Sequence, residues 1–289
     1  MNKSTPFSLR IFIVDGDPDG LRLVDRSNWI GKAVMFPRAL YAKVRDRDEF
    51  QQTGVYLLIG PRDNGDGEMI YIGEGDPVRP RFEQHYAKKD FWTRGVFFVA
   101  GPGQLNKAHV QYLEARLIKR ALGAKRTPLE NGNHPAEPTL SEADRADMDV
   151  FLDNILGMLP VLGIVAFEQS QQSSSADVIL LTCSKKGISA SGYETPQGFV
   201  VKIGSKASID DSPSLMENFS YVCDLRVELV KNGVLAREGN SLVFSQNYTF
   251  NSPSLASSIV LGRPSNGRIE WKDVNGRTLR QIQEAQASA

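Results

Sequence analysis

Apolar residues fall in short runs over the first fifty positions. Residues 9–14 (LRIFIV), 21–28 (LRLVDRSN) and 31–37 (GKAVMFP) read as strands; the second alternates and Pro37 stops the third. A turn cluster, DGDPDG, occupies 15–20. Residues 38–50 are charged and read as helical. Two further strands, 54–60 (GVYLLIG) and 69–75 (MIYIGEG), are rich in β-branched, aliphatic and aromatic residues and flank a loop of glycine and acid. Residues 78–89 read as a short helix with Pro80 in its first turn, and 95–101 (GVFFVAG) as a buried strand. In 105–123, Val110, Leu113, Leu117 and Ala121 recur at three and four residues, a long helix for which Gly123 suits the C-cap. The order over this block is β-β-α-β-α.

Farther on, a proline-acid stretch (HPAEPTLSEAD) precedes an apolar helix at 148–159 and a polar run, EQSQQSSSAD, at 168–177. From about 178 the strand signals are DVILLTC, GFVVKIGS and SLVFSQNYTF, and a helix spans 215–232 and ends at Gly233. SPSL occurs at 212 and 252; each serine-proline pair suits a helix start. No repeat has a solenoid period. The pattern gives an α+β chain. It divides into a β-rich N-terminal extension (1–50), a β-β-α-β-α domain (51–135), a helical connector with a polar linker (136–177) and an α+β C-terminal domain (178–289).

Composition narrows the class. The chain has 289 residues, 34 basic against 34 acidic, and is 41% hydrophobic, ordinary for a globular protein of two domains. No stretch is apolar enough to span a bilayer, and the first residues lack the apolar core and cleavage site of a signal peptide. Cys183 and Cys223 lie far apart, which fits a reducing cytoplasm. Three histidines, none at zinc spacing with cysteine, argue against a structural zinc site. No dinucleotide cofactor is expected, and the oligomeric state stays open. Zero net charge hides a local excess: Lys107, Arg116, Lys119, Arg120, Lys125 and Arg126 face one acid, Glu114.

Specific residues now carry a resemblance. Gly54-Val55-Tyr56 and Tyr71-Ile72-Gly73 stand on the paired strands, with Arg81 eight residues after Gly73 and His85 four after that. Glu114 lies on the later helix, and Asn131 follows in PLENGN, with Asn133 as second choice. Residues 52–133 resemble the GIY-YIG nuclease domain, with valine for isoleucine in the first motif and a longer loop between the motifs. The resemblance implies a central antiparallel sheet in this part of the chain and a metal-dependent DNA endonuclease whose site residues are Tyr56, Tyr71, Arg81, His85, Glu114 and Asn131, with Glu114 holding Mg²⁺ or Mn²⁺.

The residue chemistry is compatible with that role. Arg81 and His85, four apart, share a helix face. A guanidinium suits two phosphate oxygens. A lone glutamate can hold Mg²⁺, which keeps several waters. Tyr56 is the candidate base, as a phenolate if a cation lowers it, and Tyr71 or His85 could relay its proton. This reading expects Tyr56 and Glu114 on one face. Lys119, Arg120, Lys125 and Arg126 either track a DNA backbone or complement the helix dipole. Taken singly, each tyrosine is a packing residue, Arg81, His85 and Glu114 are ordinary helix residues, and Asn131-Gly132 is turn chemistry. The competing function is a non-catalytic nucleic-acid-binding or protein-interaction module on the same fold. DNGDGE (63–68) lacks the ligand spacing of a calcium loop, and GPGQLNK (101–107) that of a phosphate loop.

Residues from about 190 to 275 resemble an uncharacterised domain that often follows GIY-YIG modules, through GFVVKIGSKA, SPSL, NGVL, FNSPSLASSIVLGRPSNG and EWKD. In GRPSNGRIEWK, Arg263 and Trp271 either contact nucleic acid or belong to a turn and a small core.

Overall fold

The computed structural model describes residues 6–62, 67–133, 135–168, 179–185 and 187–287, and divides into two compact units, Met1–Gln169 and Ser170–Ala289. Two units replace the four expected segments, because the N-terminal strands and the connector helix share the first unit's core.

The first unit is built on one antiparallel sheet. Strands β1 (Leu9–Ile13), β2 (Arg22–Arg26) and β3 (Gly31–Pro37) lead into helix α1 (Tyr41–Val44). Then follow β4 (Gly54–Pro61), β5 (Glu68–Gly75), α2 (Arg79–Lys88), β6 (Arg94–Ala100), α3 (Lys107–Ala124) and α4 (Glu142–Met158). The sheet order is β1-β2-β3-β6-β4-β5, so β5 is an edge. Antiparallel register sets Tyr56 opposite Gly73 and Leu58 opposite Tyr71.

Alternation along β4 splits the core. Val55, Leu57 and Ile59 join Ile70 and Ile72 beneath α3 and α4. Tyr56 and Leu58 face the other way, into an aromatic cluster with Phe36, Tyr41, Phe50, Phe82, Trp92 and Phe97. The order β-β-α-β-α appears over 54–124. Three local expectations change. Residues 38–51 form two 3-10 turns around one α turn, which drops Tyr41, Val44 and Phe50 onto the sheet. Helix α3 runs past Gly123 to bury Ala124, and Lys125 takes the left-handed cap position at φ 51°. Helix α4 starts six residues earlier than Met148, where Ser141 accepts from the Asp144 amide at 3.1 Å.

The second unit carries β7 (Leu181–Lys185), β8 (Ile188–Thr195), β9 (Gly198–Val201), β10 (Lys206–Ser208), α5 (Pro213–Asn218), α6 (Ser220–Lys231), β11 (Leu235–Glu238), β12 (Ser241–Phe244), β13 (Tyr248–Phe250), α7 (Pro253–Leu261), α8 (Gly267–Glu270) and α9 (Leu279–Ala287). Its sheets are β13-β9-β8-β7 and β10-β12-β11. Both SPSL serines cap helices, and α7 is buried from Ala256 to Leu261. The single helix expected over 215–232 breaks at Phe219 (φ −141°, ψ 49°), so Leu215 and Val222 enter one core from separate helices. The boundary expected at 177/178 lies outside the described residues, as does most of the polar run.

Phe36 is fully buried and its ring packs against Tyr41, Phe50, Phe82, Trp92 and Phe97 at centroid distances of 5.4–6.4 Å. Phe36→Ala costs about 3–5 kcal/mol in urea unfolding followed by circular dichroism. A cost below about 1 kcal/mol would show that 1–50 is a dispensable extension.

Candidate functional site

The candidate residues gather around edge strand β5. Tyr56 is fully buried on β4, and its hydroxyl lies 2.7 Å from His85 Nε2. Helix α2 brings His85 there by packing Phe82, one turn earlier, against Tyr56, with ring centroids 4.9 Å apart. The Tyr71 ring lies 4.8 Å from that of His85 and 6.3 Å from that of Tyr56. Gly73 is required by this packing, since any Cβ at that position would run into the Tyr56 hydroxyl.

Burial sets the protonation of the pair. It holds His85 at about 4, with Lys89 and Arg81 adding to the same effect, so the imidazole is neutral at pH 7. Burial also pushes the Tyr56 phenol well above its usual value, with Tyr71 adding, and this outweighs the favourable charge of Arg81. The resting phenol is therefore neutral, which corrects the phenolate expected at Tyr56. The Tyr71 phenol is raised as well, by burial and then by Glu114.

Glu114 comes from the opposite side. It sits on α3, whose apolar stripe packs on the face that carries Ile70 and Ile72, whereas Tyr56 lies on the face beneath α2. The expectation of one shared face does not hold. The two groups approach instead across the edge of the sheet, close enough that Glu114 raises the phenol of Tyr56. Glu114 makes no hydrogen bond or ion pair to a described residue. Burial lifts its carboxyl to about 7, with the charge of Glu74 second; Arg81 and Lys107 pull the other way.

Glu74 and Lys107 are additions that the sequence reading missed. Glu74 is buried, and both of its oxygens accept from Lys107 Nζ at 2.7 Å. The period of two along β5 sends 70, 72 and 74 toward α3, and Lys107 precedes Glu114 by seven residues, two helical turns. Both spacings were present in the sequence as signals. Arg81 is exposed, and its Nε points at the Glu74 carbonyl at 3.4 Å.

Asn131 has a structural task. Its side chain accepts from the Ile72 amide at 2.9 Å and donates to the Ile72 carbonyl at 2.7 Å. With the Ile70 amide donating to Pro128 and the Glu130 amide donating to Ile70, residues 128–131 complete the outer side of β5. Asn133 is exposed.

The basic helix end is largely committed internally. Arg126 pairs with Glu168 at 2.6 Å, and Arg120 Nε donates to the Phe167 carbonyl at 3.2 Å. Lys119 lies 3.6 Å from Glu137 and is 79% exposed; Lys125 is the helix cap. In the second unit Trp271 is fully buried, 4.5 Å from the Phe199 ring, and Arg263 pairs with Glu270 at 2.7 Å. A base cannot stack on a buried indole, so the turn-and-core reading of that motif is the one that fits.

Among the described residues no three His, Cys, Asp or Glu side chains group as metal ligands. The donor set is one uncompensated carboxyl, which suits a hard divalent cation that keeps its waters. No described helix is long and apolar enough to cross a membrane.

Residues 181–283 match a family described as a domain of unknown function (DUF4357), and the second unit is similar to it over that span. No curated protein and no solved structure matches the chain.

Two outcomes follow. Gly73→Ala should cost about 1–3 kcal/mol by overpacking and displace the Tyr56 hydroxyl from His85, read as a rise in the His85 titration midpoint by NMR. The folded carboxyl of Glu114 titrates near 7 against a usual 4.5, so its stabilising contribution is complete below about 4.5 and is lost as pH rises to 7. Glu114→Gln should therefore raise Tm by about 2–4 °C at pH 8 in EDTA and leave it unchanged at pH 4. Equal or lower Tm at pH 8 would contradict a half-buried carboxyl with no hydrogen-bond partner among the described residues.

Proposed function

We propose that the first unit is a GIY-YIG-type endonuclease that hydrolyses phosphodiester bonds in DNA, with one Mg²⁺ or Mn²⁺ held at Glu114. The observation that supports it best is the unpartnered Glu114 carboxyl, raised to about 7, beside Arg81, Lys107 and the Tyr56–His85 pair. A half-buried acid without a hydrogen-bond partner among the described residues is costly, and a bound cation removes that cost.

When bound, the ion would polarise the phosphate and stabilise the leaving oxygen. Arg81, exposed beside this carboxyl, supplies planar donors for two phosphate oxygens. Lys107 has three ammonium protons; Glu74 takes two, leaving one for a phosphate oxygen. Tyr56 accepts the proton of the attacking water while its own passes to Nε2 of neutral His85. Fixed charges around the phosphate contribute most of the acceleration, because they need no reorganisation during the reaction. Asn131 holds β5 in place and takes no proton.

One observation favours the second reading, a non-catalytic nucleic-acid-binding or protein-interaction module. Tyr56 is completely covered, so water reaches its hydroxyl only if α2 or Tyr71 moves.

Cleavage of duplex, branched and single-stranded DNA with Mg²⁺ or Mn²⁺ separates the two. Glu114→Ala and Arg81→Ala should lower the rate by at least about 100-fold, and Tyr56→Phe by about 100–10,000-fold. The pH below which the wild-type rate falls should move down as the Mg²⁺ concentration rises, because the ion and a proton compete for the Glu114 carboxylate. Wild-type rates in both Ala variants would sink the nuclease reading. DNA retained without cutting would support the binding module.

A further inference from the structure

The second unit has an open cavity of about 610 Å³ between the start of β8 and the turn joining β9 to β10. Ser189, Ser191, Lys202, Gly204, Ser205 and Lys206 line it, and no acid does. Lys202 and Lys206 make no side-chain hydrogen bond or ion pair to a described residue. That contrasts with Arg263 and Arg277, which are paired with Glu270 and Asp273.

The turn is held in shape by its own backbone. The Lys202 amide donates to the Ser191 carbonyl at 2.8 Å, and the Gly204 amide to the Phe244 carbonyl at 2.8 Å. Asn247 Oδ1 accepts from the Ile203 amide at 2.8 Å. The buried Ser205 hydroxyl takes the Ser191 amide at 3.0 Å and donates back to the Ser191 carbonyl at 3.3 Å. These bonds use up the backbone donors and leave side chains as the free groups. Period two along β8 puts Ser189 and Ser191 on one face, so two serines and two lysines line the same space.

From this cavity we infer a phosphate-binding site in the second unit, with Lys202 and Lys206 as its cations and Ser189 and Ser191 as its neutral donors. Two lysines that line one cavity with no acid in its described lining leave positive charge there for an anion to neutralise. Hydroxyls and ammonium groups together suit the oxygens of a phosphate, whether it belongs to a nucleic-acid backbone or to a small phosphorylated molecule. A turn already held by these five internal hydrogen bonds loses little freedom on binding. Both lysines belong to GFVVKIGSKA, a stretch that the first unit's chemistry does not use.

The test uses the full chain in EDTA, where no metal-dependent cleavage intervenes. Binding of a fluorescein-labelled 20-nucleotide DNA is followed by anisotropy, and binding of inorganic phosphate by ³¹P NMR. Lys202→Ala/Lys206→Ala should weaken at least one probe about tenfold, and Lys202→Arg/Lys206→Arg should retain it. For DNA, the slope of log affinity against log salt should drop by about 2. A response to DNA alone identifies a backbone site; a response to phosphate alone identifies a small ligand. The inference is overturned if neither probe distinguishes the Ala variant from wild type. Cleavage by the Lys202/Lys206 variant reads the first unit separately, and phosphate binding by Glu114→Ala reads the second, so either proposal can fail alone.

Discussion

The backbone of strand β5 is the constraint on which the site depends. An edge strand leaves a row of amides and carbonyls unpaired, and a buried edge must satisfy them. Here Pro128, Glu130 and Asn131 do so, the last with a side-chain amide that stands in for a peptide group against Ile72. Because the edge is closed by a short segment and not by another strand, α2 and α3 can both approach it. Tyr71 and Gly73 lie there toward α2, and Glu74 toward α3. The strand thus acts as the wall through which two helices on opposite faces influence one another.

Electrostatics follow from that geometry. On the α2 side burial keeps both the Tyr56 phenol and the His85 imidazole uncharged. On the α3 side charge is concentrated: Glu74 is neutralised by Lys107, and Glu114 is left without a partner. The uncharged, hydrogen-bonded Tyr56–His85 pair therefore stands beside a carboxyl that no described cation pairs with.

Much of the first unit was readable because its signals are local and strong. Tyr56 and Tyr71 stand on β-branched runs, and Val110, Leu113, Leu117 and Ala121 mark the buried stripe of α3 at helical spacing. Contacts between distant segments were not readable. Nothing near Arg126 signals that Glu168, 42 residues on, will take its guanidinium. The covering of Tyr56 depends on rings contributed by β3, α2 and residues 41–50. In the second unit, β8 escaped notice because ISASGYET is poor in branched residues; Gly192 is small there because the Phe199 ring and the Val200 carbonyl occupy the space of a side chain. The helix over 215–232 read as continuous because its composition is helical throughout, and the break at Phe219 is set by tertiary packing.

The Arg126–Glu168 pair bears on where the first unit ends. Arg126 follows the helix that carries Glu114, and both partners are mostly buried, 11% and 17% exposed. Together with the bond from Arg120 to Phe167, it ties the last described residues of the first unit to the end of that helix. The polar stretch that follows therefore leaves from a fixed point. The described part of the first unit thus ends at 168 on a point fastened to the helix that carries Glu114.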